Sequence, residues 1–275
     1  MATLRQIKEK QNSVATINKI TKAMQLVSSA KSQKAIKAKK EYDDYFNKVE
    51  KMIGEVSGSK ETRKDFKSVY WVLVVSDLGL AGGYNNNVLK TLKANMKNDD
   101  EILIIGQKGK SFKKQNPNKI EVLPLEHLEH SHKLEDITIK IKAAHYDNDY
   151  EVKVLYTKYI SAIEFLPSIK TILPIQPLAV ENTEKESKQL AITIFEPERS
   201  KLLKQLEGLY IHSFLVNIFK ETQASEHSAR KNAMEAATKN GEELLDALSI
   251  EYNRGRQAKI TQEISEIIGG AESLK

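Results

Sequence analysis

Hydrophobic residues recur at helical spacing at both ends of this chain and in short β-rich runs between them. Near the N-terminus Leu4, Ile7, Val14, Ile17, Ile20, Met24 and Val27 recur at helical spacing. Thr3 and Gln6 have the spacing of a capping box that starts such a helix. From Ser28 onward the inward positions shrink to Ala30, Ala35 and Ala38, small enough to let a second helix come close. At the other end the pattern runs through "LLKQLEGLYIHSFLVNIF", Met234, Ala237, Leu244, Leu245, Leu248 and Tyr252 to Ile268. Glu196, Pro197 and Glu198 suit its first turn, because proline fits there and carboxylates favour the positive end of the dipole. Gly269 and Gly270 are expected to end it.

Magnitudes then set the architecture. About 70 helical residues at ~1.5 Å each make a rod of roughly 100 Å, whereas a compact chain of this length has a radius of gyration near roughly 19 Å. The sequence therefore predicts a helix that projects from its own domain, paired with the N-terminal helix in an antiparallel coiled coil. Leu248 and Gly255 are seven residues apart on that seam. Gly208, Gly241 and Gly255 are its weak points, and Gly255 is expected to be a solvent-facing soft spot.

Between the rods the rhythm changes. "SVYWVLVVS", "EILIIG", "IEVLPL" and "YEVKVLYTKYI" read as strands, and "NNNVLKTLKANMK" and "LEDITIKIKAAHY" as helices, an alternation that predicts a mostly parallel, Rossmann-like α/β sheet. All 6 prolines lie in the middle of the chain, at Pro117, Pro124, Pro167, Pro174, Pro177 and Pro197. The expected organisation is an N-terminal helix over 1–57, an α/β domain over 68–195 and a long C-terminal helix over 197–275.

Composition narrows the function. With 0 cysteines among 275 residues, disulfides and thiolate chemistry are excluded. The longest apolar run, Val69 to Val75, is far short of the roughly 20 residues of a membrane helix, and the polar opening "MATLRQIKEKQ" has no signal-peptide core. No direct membrane insertion is expected. Net charge is +6, but residues 1–40 hold ten Lys/Arg against one acid (Glu9), a local +9 that leaves −3 for the rest. Such asymmetry points to a partner surface.

Four features invite a chemical reading, and each has a plainer one. "SDLGLAGGYNNN" follows a strand and precedes a helix, yet Gly79, Gly82 and Gly83 do not have the spacing that lets a backbone close on pyrophosphate; a tight turn is favoured. Gly109-Lys110-Ser111 ends like a P-loop, but Ile104 stands where its first glycine belongs. His127, His130 and His132 with Glu126 and Glu129 mix zinc-ligand types without a second cluster, so a polar loop is favoured. The basic N-terminal helix can neutralise phosphates, but it carries no aromatic before Tyr42 for base stacking. No catalytic, cofactor or metal residue and no nucleic-acid partner is assigned.

"ITKAMQLVSSAKSQKA", "SDLGLAGGYN", "ASEHSARKNAMEAATKNGEEL" and "ITQEISEIIGGAES" together resemble the gamma subunit of the F-type ATP synthase over nearly the whole chain. The resemblance implies a non-catalytic rotor: an antiparallel coiled coil inside a ring of alpha and beta catalytic subunits, with the α/β domain against the epsilon subunit and the membrane c-type rotor ring. It implies a peripheral location on the cytoplasmic side of a bacterial membrane, coupling ATP synthesis or hydrolysis to rotation and proton translocation. Met24 matches a methionine beside the moving lobe of the catalytic subunits, and Arg254, Arg256, Gln257, Thr261 and Glu263 match polar residues that touch the sleeve. Leu78, Ala81, Gly255 and Lys259 depart from common family residues, which leaves room for a specialised motor not coupled to a proton channel.

Overall fold

The computed structural model describes residues 3–57, 66, 68–115, 120–125, 131–175, 196 and 198–272. The chain is helical at both ends: α1 spans Leu4–Ser57 and α5 spans Arg199–Glu272. Between them lie β1 (Val69–Val74), α2 (Tyr84–Asn95), β2 (Glu101–Ile105), α3 (Lys110–Gln115), β3 (Ile120–Leu123), α4 (Ser131–Tyr146), β4 (Glu151–Tyr159) and β5 (Phe165–Leu173). Two compact units emerge, one formed by residues 1–29 with 230–275 and the other by residues 30–229, so both long helices contribute to each.

The larger unit is built on a five-stranded sheet of order β3-β2-β1-β4-β5. The first three strands and β4 run parallel, and β5 returns antiparallel to β4. Strand β5 is not marked by the sequence pattern, since Pro167 falls inside it opposite Thr157. Proline removes a ladder donor and is tolerated because β5 is an edge strand. The side chains of β1 alternate between two apolar layers. Val72 and Val74 face Phe46, Val49 and Ile53 of α1, Ile137 and Ile141 of α4, and Ile211, Phe214 and Leu215 of α5. Trp71, Leu73 and Val75 face Val88 and Leu92 of α2 and Phe112 of α3. Burial on both faces explains why these strands read as continuous apolar runs.

Polar groups fasten the strand ends. Asp100 accepts hydrogen bonds from the Trp71 indole at 2.9 Å and from the backbone amides of Val69 at 2.9 Å and Lys97 at 2.8 Å. One carboxylate thus closes the turn into β2 and anchors the start of β1.

Helix α1 starts as its capping box requires. The Gln6 amide donates to the Thr3 hydroxyl at 3.3 Å, and the Thr3 amide donates to Gln6 Oε1 at 2.9 Å. Its inward positions keep a strict three-and-four spacing: Leu4, Ile7, Gln11, Val14, Asn18, Thr21, Gln25, Ser28, Ser32, Ala35, Lys39, Tyr42, Phe46, Val49, Ile53 and Val56 are all buried or half-buried. That register corrects the apolar stripe in detail. Ile17, Ile20 and Val27 are exposed, as is Ala30, because Asn18, Thr21, Ser28 and Ser32 take the inward places. One further expectation fails. Helix α5 continues through Gly269 and Gly270 to Glu272, since a glycine permits a stop without imposing one. It opens at Arg199 behind Glu198, whose carbonyl accepts from the amides of Lys201 and Leu202, while Pro197 lies outside the described residues.

In the smaller unit α1 and α5 meet antiparallel. Gly241 lies against Asn18 and Gly255 against Leu4, so a step of fourteen residues along one helix (18 − 4) matches fourteen along the other (255 − 241). Thr238 pairs with Thr21 at 2.9 Å and Gln11 donates to Ser249 at 3.1 Å. Gly255 is therefore a seam residue rather than a solvent-facing soft spot. A Cβ there would meet only the tip of Leu4 at 3.0 Å, whereas at Gly241 it would meet Asn18 Oδ1 at 2.9 Å and Cγ at 3.1 Å. Alanine gains about 1 kcal/mol of helix propensity at either site, but only the Leu4 tip at a helix start yields easily. Gly241→Ala is expected to lower stability by about 1–2 kcal/mol and Gly255→Ala to change it by under about 0.5 kcal/mol, as measured by chemical unfolding of the two variants side by side.

Candidate functional site

The C-terminal end of β1, where the sheet changes its winding direction between β2 and β4, is the place where open α/β folds bind ligands. Here that crevice is fastened from within. Asn85 Oδ1 accepts from the Ser76 amide at 3.0 Å, the Ser76 hydroxyl donates to the Leu78 carbonyl at 2.6 Å, and Asp77 Oδ1 accepts from the amides of Gln107 and Leu125. Leu80 and Gly82 take positive φ of 61° and 59°, which turns the chain tightly. Helix α5 closes over the loop: Ala229 packs on Ala81 and Tyr84, and Ser225 donates to the Thr157 carbonyl at 3.2 Å. The glycine-rich loop is a clasped turn.

The Gly109-Lys110-Ser111 segment has an equally structural explanation. Gly106, at φ +121°, leaves β2 directly against the Val75 carbonyl, and a Cβ on Gly109 would fall 2.2 Å from Ile104 Cγ2. Both glycines are required by close packing. His127 and His130 lie outside the described residues, as does the side chain of His132. Among the described residues no group of three or more His, Cys, Asp or Glu is placed to hold a metal, and no helix is long and apolar enough to cross a membrane.

The remaining candidates lie on the helices of the smaller unit, and they define a surface rather than a pocket. Met24 is half-buried on α1, next to exposed Leu26 and Val27. Helix α1 begins at Leu4, which lies against Gly255, and from Arg256 to Ala271 every residue of α5 is exposed. Ile260, Ile264, Ile267 and Ile268 are 43–71% exposed along this stretch. Arg256, Gln257, Thr261 and Glu263 share it, and exposed Arg254 precedes it across half-buried Gly255. Their side chains are organised along the helix: Thr261 donates to the Gln257 carbonyl at 3.0 Å, Glu263 sits 3.6 Å from Lys259, and Gln262 donates to Glu266 at 2.8 Å. Met24 is not brought together with the other five into one cluster. The other five are exposed, whereas Met24 is half-buried.

Sequence reasoning missed Glu221, which is buried against Lys39 and the Tyr159 backbone. A lone glutamate between Lys220 and Thr222 has no sequence signature, because its neighbours arrive from α1 and β4.

Two long helices sharing an antiparallel seam, and a sheet covered on both faces, define an α/β protein with a pair of long terminal helices. Comparison with known proteins makes the class specific. The ATP synthase family model matches residues 3–274. The ATP synthase gamma chain of Mycoplasma capricolum is 37% identical, with 99% of each chain covered, and that of Staphylococcus epidermidis is 34% identical over 100% of both. A chain of the Euglena gracilis mitochondrial ATP synthase in a structure of its OSCP/F1/c-ring assembly superposes with a TM-score of 0.71 at 16% identity, covering 98% of this chain and 94% of that one. The chain belongs to the ATP synthase gamma-chain family, the central-stalk subunits of the F-type rotary complex.

Exposed side chains on a helix contribute little to the stability of the isolated chain. Alanine at Arg256, Gln257 or Glu263 is therefore expected to shift its unfolding free energy by no more than about 0.5 kcal/mol, read from denaturant melts, whatever these changes do in the assembled complex.

Proposed function

We propose that this chain is a non-catalytic rotor: ATP is made or hydrolysed on partner beta subunits, and this chain couples their conformations to rotation and to proton translocation. The observation that carries the reading is the end of α5, sixteen consecutive exposed residues from Arg256 to Ala271 that include four isoleucines. A helix end with apolar and charged groups on every side is suited to contact from all around, and a sleeve of alternating alpha and beta subunits supplies that. Arg254, Arg256, Gln257, Thr261 and Glu263 then meet the sleeve in turn as the shaft rotates, and Met24 meets the moving lobe of a catalytic subunit. An asymmetric shaft touches three sites unequally and biases each toward a different affinity state.

In this reading the helix pair is the shaft and the α/β domain faces the epsilon subunit and the c-type ring. The complex sits on the cytoplasmic side of a bacterial membrane, with this chain peripheral to the bilayer. Reconstitution tests it. Alpha and beta subunits from the same cells, mixed with this chain, should give a complex whose ATPase activity depends on it, while the chain alone hydrolyses nothing. Activity of the isolated chain, or tight salt-dependent binding to duplex DNA, overturns the reading. Co-purification of alpha- and beta-type subunits without c-ring partners points instead to a motor uncoupled from a proton channel.

Met24 is neutral and flexible, as a sliding contact requires. Met24→Lys adds a charge that pairs with acidic groups of a partner, and about 1–2 kcal/mol of extra attraction in a partly dry interface deepens one rotary dwell. ATP hydrolysis by the reconstituted complex should become less tightly coupled to proton pumping and acquire a higher activation energy, measured by hydrolysis rates against vesicle acidification across temperature.

A further inference from the structure

In the larger unit, α1, β4, β5 and α5 bring several ionisable side chains together. Lys39 and Asp43 come from α1, Tyr156 from β4, Lys170 from β5 and Glu221 from α5, while Lys220 turns aside to lie 5.7 Å over the Tyr42 ring. The Glu221 side chain is only 9% exposed. Its compensation is thin. The Lys39 ammonium lies 2.6 Å from Asp43 and 3.9 Å from Glu221, so it is committed to Asp43. Lys170 lies over the Phe214 ring at 5.8 Å. Glu221 Oε1 accepts from the Tyr159 amide at 3.3 Å, and the carboxylate is also hydrogen-bonded to the Tyr156 hydroxyl.

A carboxylate removed from water among four elements, whose nearest cation is committed to another acid, is poorly stabilised in its charged form. We propose that Glu221 is a proton-binding site at the junction of α1, β4, β5 and α5, and that its protonation tightens the attachment of the two long helices to the sheet. Burial raises the Glu221 carboxyl above its ordinary value, and the attractions of Lys39, the Tyr159 amide and Lys170 oppose that rise without cancelling it. The same carboxylate helps to hold the Tyr156 hydroxyl protonated.

The sign follows from linkage. A carboxyl raised on folding binds its proton more tightly in the folded chain than in the unfolded one. Its contribution to stability is therefore complete below the unfolded value of about 4.3 and is lost as the pH rises through the folded value. With Lys39, Lys170, Asp43 and Glu221 all ionised the group is neutral; one proton on Glu221 leaves it with one positive charge. Glutamine keeps the shape and a hydrogen-bonding oxygen while removing the titration.

The test compares the full-length chain with Glu221→Gln in thermal melts from about pH 4 to pH 8, a range that brackets the ordinary glutamate value. The variant should gain on the native chain as pH rises, by roughly 2–4 °C for a tenfold difference in proton affinity. A difference that stays flat, or that favours the native chain increasingly toward neutrality, overturns the proposal. Should the variant fail to fold, the Tyr159 amide of the native chain reports directly. Its nitrogen shift should titrate with a midpoint above the ordinary glutamate value, and a midpoint at or below that value overturns the proposal equally.

Discussion

The three-and-four spacing of inward positions along α1, unbroken from Leu4 to Val56, is the constraint on which the rest depends. It keeps one face turned inward while the chemistry of that face changes completely. Phe46, Val49 and Ile53 join the apolar core beneath the sheet, whereas Asn18 and Thr21 lie against Gly241 and Thr238. A single helix can serve both settings because the inward direction is set by spacing, and the depth of contact by side-chain size. Helix α5 answers with Met234, Thr238, Gly241, Leu245, Leu248, Tyr252 and Gly255 at the same spacing.

The polar share of these contacts has an energetic meaning. In the larger unit Ser32 and Ser228 are both buried and lie 2.6 Å apart, and Ser225 bonds to the sheet. Small hydroxyl pairs let backbones approach and satisfy each other, but they remove less apolar area from water than leucine pairs do. Stability is therefore concentrated where Phe46, Ile211, Phe214 and Leu215 meet the strands. Toward the end of α5, Ile260, Ile264, Ile267 and Ile268 remain exposed.

The α/β body fills the crevice at its switch point with its own polar side chains. Its winding reverses at β1, yet the loop that follows is clasped by Ser76, Asp77 and Asn85 and covered by Ala229 of α5. Gly109, the P-loop-like glycine, serves close approach to Ile104 instead, as nearby Gly106 does to the Val75 carbonyl. Fold class and local glycine content do not by themselves decide function.

Sequence by itself determined the elements with strong periodicity. The terminal helices, the capping box at Thr3, four of the five strands and the mostly parallel sheet follow from spacing and propensity, which are local properties. Motif matches at the two ends carried the family, and the cysteine-free, proline-partitioned composition bounded the chemistry. Tertiary structure alone decided which residues turn inward when polarity and periodicity disagree. It put Asn18 and Ser28 inside and Ile17 and Val27 outside, because the partner helix offers glycine and small side chains there rather than an apolar groove. It also made a strand of the segment around Pro167, which only an edge position tolerates. It carried α5 past Gly269 and turned Gly255 toward Leu4. Glu221 acquired its surroundings only when α1, β4 and β5 arrived from distant parts of the chain. Contacts of that kind depend on three-dimensional proximity, and no local pattern encodes them.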